Sequence, residues 1–284
     1  MPDRNIDDRV VADFGEEWAS YDRVRPSADE HRRLFECYFS VFPFDSLPAD
    51  AEGFDMGCGS GRWAEIVADR VGRLHCIDPA ERALTVAKRR LADKGNAVFH
   101  LAGVDHLPLE DGSQDFGYSL GVLHHVPETE RGLADCVRKL KPGAPFLVYL
   151  YYRFDNRPSW FAAVWRISDV LRRGVCHLPF PIKNAVAGGI ARVIYWPLAR
   201  AAKVGAQHGL STKNWPLSGY REAAFATMRN DALDRFGTRL EKRFTRAEIR
   251  EMMQKAGLVE IRFHDDEPYW VAVGFRAPAR GSST

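Results

Sequence analysis

Three glycines spaced two residues apart, Gly57, Gly59 and Gly61, follow a short apolar run that contains Asp55. Glycine at this spacing lets the chain turn sharply after a strand, and its missing Cβ lets a ligand lie against the backbone. A helix that begins there would turn free N–H groups toward a polar ligand. Asp78 ends the next apolar run, where a carboxylate can accept hydrogen bonds from both hydroxyls of a ribose. The pattern predicts a nucleotide-type site at the carboxyl end of a first strand.

Strands alternating with helices are needed to position these residues, and the chain shows that alternation from Gly53 onward. The predicted strands are 54–57, 73–78, 97–101, 115–120 and 145–152, and the predicted helices are 62–70, 80–94 and 128–140. A helix ending at Gly257 and two strands, 258–264 and 269–276, close the pattern. The alternation predicts an α/β fold with a doubly wound, mostly parallel sheet and right-handed crossovers.

The chain divides into five predicted segments. They are an N-terminal helical cap (1–50), a cofactor-binding core (51–152), a helical basic and aromatic insertion (153–243), a closing helix with a strand pair (244–276) and a disordered tail (277–284). In the cap, Trp18 and Tyr21 either pack against the core or form a flap over the ligand.

The composition is that of a globular protein, with 284 residues of which 45% are hydrophobic and 27% charged. Its five cysteines are scattered without a Cys-x-x-Cys pair, and no metal site is expected. Together with the lack of a signal-peptide pattern, they favour reduced thiols and a cytoplasmic location. Arg192 and Pro197 interrupt the longest apolar stretches, so no membrane-spanning segment is expected.

The insertion differs in charge from the rest of the chain. Residues 157–213 contain nine Lys/Arg and one acid, Asp169, with tryptophans and other aromatics interleaved. Its first helix is predicted to carry an apolar face (Trp160, Val164, Leu171) opposite a polar face (Arg166, Asp169, Arg173), and a second helix is predicted over 182–204. Three interpretations remain open: a lid with its aromatics on the core and its arginines in solvent, an interfacial segment on anionic lipid, or a site for a soluble anion. RNA is the least favoured anion, because no recognised RNA-binding module accompanies the charge.

Five motifs in this order resemble those of the class I S-adenosylmethionine-dependent methyltransferases, a group that includes small-molecule and ubiquinone-type enzymes. They are Phe54-Asp55-Met56-Gly57-Cys58-Gly59-Ser60-Gly61, Ile77-Asp78, the run from Leu107-Pro108 to Asp115-Phe116, Val122-Leu123-His124-His125-Val126, and Leu140-Lys141-Pro142-Gly143. The resemblance covers roughly residues 50–152. It implies a Rossmann-like sheet of seven strands with the last antiparallel.

The resemblance also implies S-adenosyl-L-methionine as cofactor and S-adenosyl-L-homocysteine as product. The residues expected to bind the cofactor are Asp55, Gly57, Cys58, Gly59, Gly61, Asp78, Pro79, Val104, Asp105 and Leu120. Many relatives carry an acid for the adenine amino group where this chain has Gly103. Adenine is therefore expected on Asp105, or on the backbone of Gly103 and Val104.

Methyl transfer needs an aligned nucleophile and, for a hydroxyl acceptor, a base. His124 and His125 are the candidate bases, with His125 preferred, although such pairs also occur in the family without a catalytic role. The candidate substrate residues are Trp18, Tyr21, Tyr151, Tyr152, Tyr220 and Arg221, and Asp234 is a further candidate.

The predicted function is O-methylation of a small-molecule, glycan-precursor or lipid-linked acceptor, with peripheral contact between residues 157–213 and an anionic membrane at its inner face. Two alternatives are an enzyme of this fold with changed chemistry, such as decarboxylation or cyclisation, and a non-catalytic cofactor-binding module at a membrane surface.

Overall fold

The seven strands form one sheet in the order β3-β2-β1-β4-β5-β7-β6. The structure is a computed structural model that describes residues 4–21 and 27–278, without the side chains at 17 and 19–21. The strands are β1 Glu52–Met56, β2 Arg73–Asp78, β3 Ala97–Leu101, β4 Phe116–Leu120, β5 Pro145–Tyr149, β6 Leu258–Phe263 and β7 Val271–Arg276. β1 to β5 are parallel, and β7 runs antiparallel to both β5 and β6. The predicted seven-stranded sheet is confirmed.

Ten α-helices are found in the described part of the chain. They are α1 Asp8–Tyr21, α2 Ala28–Tyr38, α3 Ala64–Val67, α4 Glu81–Arg90, α5 Thr129–Lys139, α6 Ser159–Val175, α7 Phe180–Ile190, α8 Trp196–Gln207, α9 Phe225–Gly237 and α10 Arg246–Lys255. A π-helical turn, Ala191–Tyr195, joins α7 to α8, so the chain is helical without a break over 180–207. None of these helices is both long and apolar enough to cross a membrane.

The chain packs as two compact units. The sheet unit comprises residues 4–19, 34–152 and 242–278, and the helical unit comprises 20–33, as far as they are described, and 153–241. The five segments predicted from the sequence remain a prediction, and the proposed tail lies outside the described residues from position 279 onward.

Two apolar layers cover the faces of the sheet. One layer packs α5 and α10 against the sheet through residues such as Leu133 and Met253. The other packs α2, α3 and α4 through an aromatic cluster that includes Phe35, Phe39 and Trp63. These layers hold the carboxyl ends of β1, β2 and β4 in fixed positions at one edge.

The helical unit is built around α9, whose Met228, Ala232 and Phe236 lie in its core. The long helix packs there through residues spaced four apart, Ala187, Ala191, Tyr195 and Ala199. The core therefore takes mostly small side chains from this helix.

The apolar face predicted for α6 points outward, an orientation that the sequence left open. Its apolar residues Trp160, Val164 and Leu171 are exposed, whereas Asp169 and Arg172 are buried. Arg172 donates to Asp169 Oδ1 at 2.7 Å and to the carbonyl oxygen of Thr238 at 2.8 Å. The buried ion pair and its backbone partners explain why the Asp169 side of the helix turns inward, and Arg172 is unavailable to solvent or lipid. Arg166 and Arg173, the other residues of the predicted polar face, are exposed.

Candidate active site

The glycine loop after β1 has a backbone that favours glycine at three positions. Gly57, Gly59 and Gly61 have φ angles of +82°, +54° and +75°, a region that residues with a Cβ rarely adopt. The N–H groups of Gly57 and Cys58 donate to the carbonyl oxygen of Ile77 at 2.8 and 3.1 Å. The loop is thus tied to the end of β2.

Asp55 carries a buried carboxyl group directly before this loop. Its Oδ2 atom accepts no hydrogen bond from the described residues. Burial, as the largest cause, and the nearby charge of Asp78 raise the pKa of the Asp55 carboxyl to about 8, although the Tyr118 hydroxyl and the charge of Arg62 lower it. A buried oxygen without a donor has a high free energy, which a cationic or N–H-bearing ligand would lower.

Asp78 holds the loop from the end of β2. Its Oδ2 accepts from the Gly59 N–H at 2.9 Å, and its Oδ1 accepts from the Ala80 N–H at 2.8 Å. Burial raises the pKa of this carboxyl to about 6 in spite of the two hydrogen bonds. Each oxygen retains a second lone pair for a ligand hydroxyl, so the geometry is compatible with the predicted ribose contact. Pro79 joins Asp78 to Ala80 in the sequence.

Trp18 reaches the loop from α1. A Cβ added at Gly59 would lie 3.0 Å from Trp18 Cε2, so the indole lies against the glycine. The Arg62 guanidinium lies 5.6 Å from the centre of the same indole. The side chain of Tyr21, the other predicted aromatic of this helix, lies outside the described residues.

The segment before α1 contacts the loop that follows β3, a contact that no sequence pattern indicated. A Cβ added at Gly103 would lie 1.8 Å from Ile6 Cδ1. The Asn5 N–H donates to Asp105 Oδ2 at 3.1 Å. The Asn5 amide also exchanges two hydrogen bonds with the backbone of Glu128, at 2.9 and 2.7 Å. Asp105, predicted to hold adenine, thus also holds the N-terminal segment.

The end of β4 leaves open space beside the loop. Leu120 and Val104 are buried, while Gly121, with a φ of +79°, has no atom within 4 Å of an added Cβ. The Cys58 thiol is buried, and a hydrogen bond to Cys76, followed by burial, raises its pKa well above the usual range. A neutral thiol and apolar walls suit an uncharged part of a ligand.

The two histidines lie in an aromatic stack that begins just after Gly121. The ring centre of His124 is 3.9 Å from that of Tyr151 and 4.0 Å from that of His125. The ring of Phe14 lies 4.9 Å from His125. Burial, as the largest cause, lowers the pKa of His124 well below its usual range. His124 is therefore an uncharged ring and a weak proton acceptor near neutral pH.

Of the remaining predicted substrate residues, only Tyr151 joins this stack. Tyr152 packs beside Tyr269, with ring centres 5.3 Å apart. Tyr220 stacks on Tyr195 within the helical unit at 5.6 Å. In that unit the carbonyl oxygen of Arg221 accepts from Arg200 at 3.1 Å, and Asp234 accepts from the Thr238 hydroxyl at 3.4 Å.

Residues 54–148 match the protein family described as "Methyltransferase domain". The chain is 34% identical over 143 residues to a ubiquinone biosynthesis O-methyltransferase of Thiobacillus denitrificans, covering 49% of this chain and 61% of that protein. It is 33% identical over 126 residues to phosphoethanolamine N-methyltransferase 2 of Caenorhabditis elegans, covering 43% of this chain and 28% of that protein. The chain thus spans between 28% and 61% of the length of these two curated relatives.

Solved structures share the fold at low sequence identity. A methyltransferase of Haloferax volcanii, solved with the Trm112 methyltransferase activator, superposes with a TM-score of 0.52 at 17% identity, covering 95% of this chain and 98% of that chain. An O-methyltransferase family protein of Burkholderia thailandensis also gives a TM-score of 0.52, at 13% identity, covering 87% of this chain and 56% of that chain. These likenesses establish the fold of the sheet and leave the acceptor open.

Proposed function

Because residues 54–148 form a class I, S-adenosylmethionine-dependent methyltransferase domain, we propose that the chain transfers a methyl group from S-adenosyl-L-methionine to an acceptor and releases S-adenosyl-L-homocysteine. The observation that carries the proposal is the buried Asp55 oxygen that accepts no hydrogen bond from the described residues, beside three glycines of positive φ. A cationic amino-acid group is a fitting partner for that carboxylate.

The residues of the site match the parts of this cofactor. Asp55 would hold the amino-acid ammonium group, and Asp78 the ribose hydroxyls. The adenine would lie among the side chains of Val104 and Leu120 and the backbone of residues 103–105. When bound, the cofactor supplies a methyl group that its sulfonium centre activates for in-line displacement.

The chain's own contribution to the reaction is alignment and proton removal. The low pKa of His124 makes that ring a poor base, since general bases work best with a pKa near the operating pH. We therefore assign proton removal from an acceptor hydroxyl to His125, and to His124 and Tyr151 the role of fixing its ring by stacking. Phe14 contacts His125, and Trp18 lies against Gly59, where these two side chains would exclude water.

For the acceptor, we propose a hydroxyl compound that is a small molecule, a glycan precursor or a lipid-linked molecule. The likeness to an O-methyltransferase over 49% of the chain supports oxygen as the methylated atom. The likeness to an N-methyltransferase makes nitrogen the alternative that the test must distinguish from it. The positive charge of residues 157–213 supports peripheral contact with an anionic membrane at its cytoplasmic face.

The test is a transfer assay with methyl-labelled cofactor and extract of the source cell, separated into aqueous and organic fractions. Label in either fraction, formed in step with S-adenosylhomocysteine, would support methyl transfer. With 13C-methyl cofactor, a product whose methyl carbon has the chemical shift of a methoxyl group would support oxygen, and one with the shift of an N-methyl group would support nitrogen. Cofactor binding without any labelled product would contradict the proposal and favour changed chemistry or a binding module.

A further inference from the structure

We infer that the helical unit docks on an anionic lipid surface through the outward faces of α6 and of the long helix 180–207. The inference rests on the proposed function in one respect: docking would give the enzyme access to a lipid-linked acceptor. The surface itself is argued from side chains of the helical unit alone.

Exposed apolar side chains are concentrated in this unit. Thirteen of the sixteen large apolar residues that are exposed in the described chain lie within residues 153–241. The sheet unit, which is larger, contains only Val98, Leu101 and Val259 among them. Exposed apolar side chains concentrated in one unit, rather than scattered singly over the surface, indicate an interaction site.

On α6 the exposed apolar residues follow helical spacing. Trp160, Val164, Ile167 and Leu171 recur every three or four positions, and Ile167 is 74% exposed. The opposite side of the helix is fixed by the buried Asp169–Arg172 pair. The buried polar contacts thus fix the rotation of α6 about its axis, and this rotation keeps the apolar face exposed.

On the long helix, the π-helical turn widens the outward face. Ala191, Tyr195 and Ala199 are buried at four-residue spacing, and the three residues between each pair are exposed. The residues exposed there are Arg192, Val193, Ile194, Trp196, Pro197 and Leu198. Exposed tryptophans on both helices suit the boundary between water and acyl chains.

The charge of these two helices identifies an anionic lipid surface as the partner of their outward faces. Between residues 159 and 207 the sequence has seven Lys/Arg and a single acid, Asp169, which is buried. Of these cations Arg172 and Lys183 are buried, Arg173 pairs with Asp169, and Lys203 pairs with Glu222. Arg166 and Arg192 are exposed beside the apolar residues. A surface that joins apolar side chains to uncompensated arginines matches acyl chains under phosphate headgroups.

A second copy of the chain fits this surface less well. A twofold interface places the same patch on both partners, so the arginines of one copy would face those of the other without carboxylates between them. The helices also do not cross the membrane, since none in the described part is long and apolar enough. The geometry points to a surface-bound helical unit with its apolar side chains about 5–10 Å deep in the interface.

The experiment is sedimentation of the full chain with vesicles of phosphatidylcholine alone, or with 30% phosphatidylserine or phosphatidylglycerol. The wild type is expected to sediment with both anionic vesicles at low salt and to be released by high salt. The double variant Ile167→Glu/Val193→Glu is expected to lose binding at least tenfold, since both residues are 74% exposed and their replacement leaves the core intact. The variant Arg166→Gln/Arg192→Gln is expected to lose about fivefold per arginine on anionic vesicles only.

Matched controls come from the sheet unit. Val259→Glu, at a position 42% exposed, and Lys88→Gln, also exposed, should sediment like wild type. Wild type that stays in the supernatant with anionic vesicles, or a glutamate variant that binds unchanged, would overturn the inference. So would a dimer in light scattering that the glutamate variant converts to monomer. Calorimetric titration of S-adenosylmethionine on the same preparations tests the proposed function separately, because its site lies in the sheet unit.

Discussion

The side chain of Ile6 occupies the space that any side chain at Gly103 would need. An added Cβ would lie 1.8 Å from Ile6 Cδ1 and 2.7 Å from Ile6 Cγ1. The glycine at this position therefore has a local steric reason. It lets the N-terminal segment close over the loop after β3, where Asp105 accepts from the Asn5 N–H.

Adding a methyl group at this contact should loosen the N-terminal segment. Gly103→Ala is expected to destabilise the protein by about 1–3 kcal/mol through overpacking, measured by urea denaturation. Gly95→Ala is the control, because nothing lies within 4 Å of its added Cβ. The double variant Ile6→Ala/Gly103→Ala should lose less than the sum of the two single variants. Strict additivity would show that the two residues do not share this space.

The raised pKa of Asp55 should make the stability of the cofactor-free protein depend on pH. Its folded pKa is about 8 against a usual 3.8, so between about pH 4 and 8 the folded state retains a proton that the unfolded state has lost. The upper part of this window, from pH 6.5 to 8, lies above the pKa of about 6 of the Asp78 carboxyl and so reports mainly on Asp55. The free energy of unfolding should therefore fall as pH rises through this window, by at most about 1.4 kcal/mol per pH unit. Asp55→Asn should remove this slope in urea titrations. An equal slope in the variant would mean that groups other than Asp55 cause the pH dependence of stability.

The same carboxyl should link cofactor affinity to pH. A cationic ligand binds the ionised form, so affinity should rise up to tenfold per pH unit from 6 to 7.5 as Asp55 ionises. Titration calorimetry in buffers of different ionisation enthalpy should show proton release on binding. In Asp55→Asn the affinity should be low and nearly independent of pH. Proton uptake by the wild type would contradict the assignment.

The sequence predicted the sheet and its glycine loop because their signals are local. Strand periodicity, Gly57 to Gly61 and Asp78 depend on near neighbours, and the observed strands differ from the predicted ones by at most three residues at either end. The helix predicted over 62–70 is only α3 Ala64–Val67 followed by a 3₁₀ turn to Arg70. The α-helix after the glycine loop is therefore shorter than the sequence predicted.

Two features could not be read from local signals. Periodicity shows that α6 has an apolar face, but the burial of Asp169 depends on Arg235 and on the Thr238 carbonyl that engages Arg172, more than sixty residues away. The Ile6–Gly103 contact likewise joins a segment without periodicity to a distant loop. In both cases tertiary contacts decide which side chains are buried.

The histidine pair should divide into a base and a positioning ring. His125→Gln is expected to lower the rate of methyl transfer by about 10²–10⁴-fold, with cofactor affinity within twofold of wild type by calorimetry. His124→Gln, which removes a ring that stacks at 4.0 Å on His125, should lower the rate less and shift its pH profile. A larger loss of rate in His124→Gln than in His125→Gln would mean that His124 is the base and His125 the positioning ring. An unchanged rate in both variants would mean that neither histidine takes part in proton transfer.

Neighbouring arginines on α6 should differ sharply in their contribution to stability. Arg172 is buried, pairs with Asp169 and donates to the carbonyl oxygens of Thr238 and Arg239. Arg172→Gln leaves Asp169 buried with less compensation and is expected to cost about 3–5 kcal/mol, seen as early unfolding of the helical unit in hydrogen exchange. Arg173→Gln is the matched control, since that side chain is 74% exposed and Asp169 keeps Arg172 as its buried partner; its loss is expected to be about 1 kcal/mol or less. Similar losses in the two variants would mean that the buried pair does not set the orientation of α6. A loss confined to Arg172→Gln would explain why the apolar face of this helix points outward.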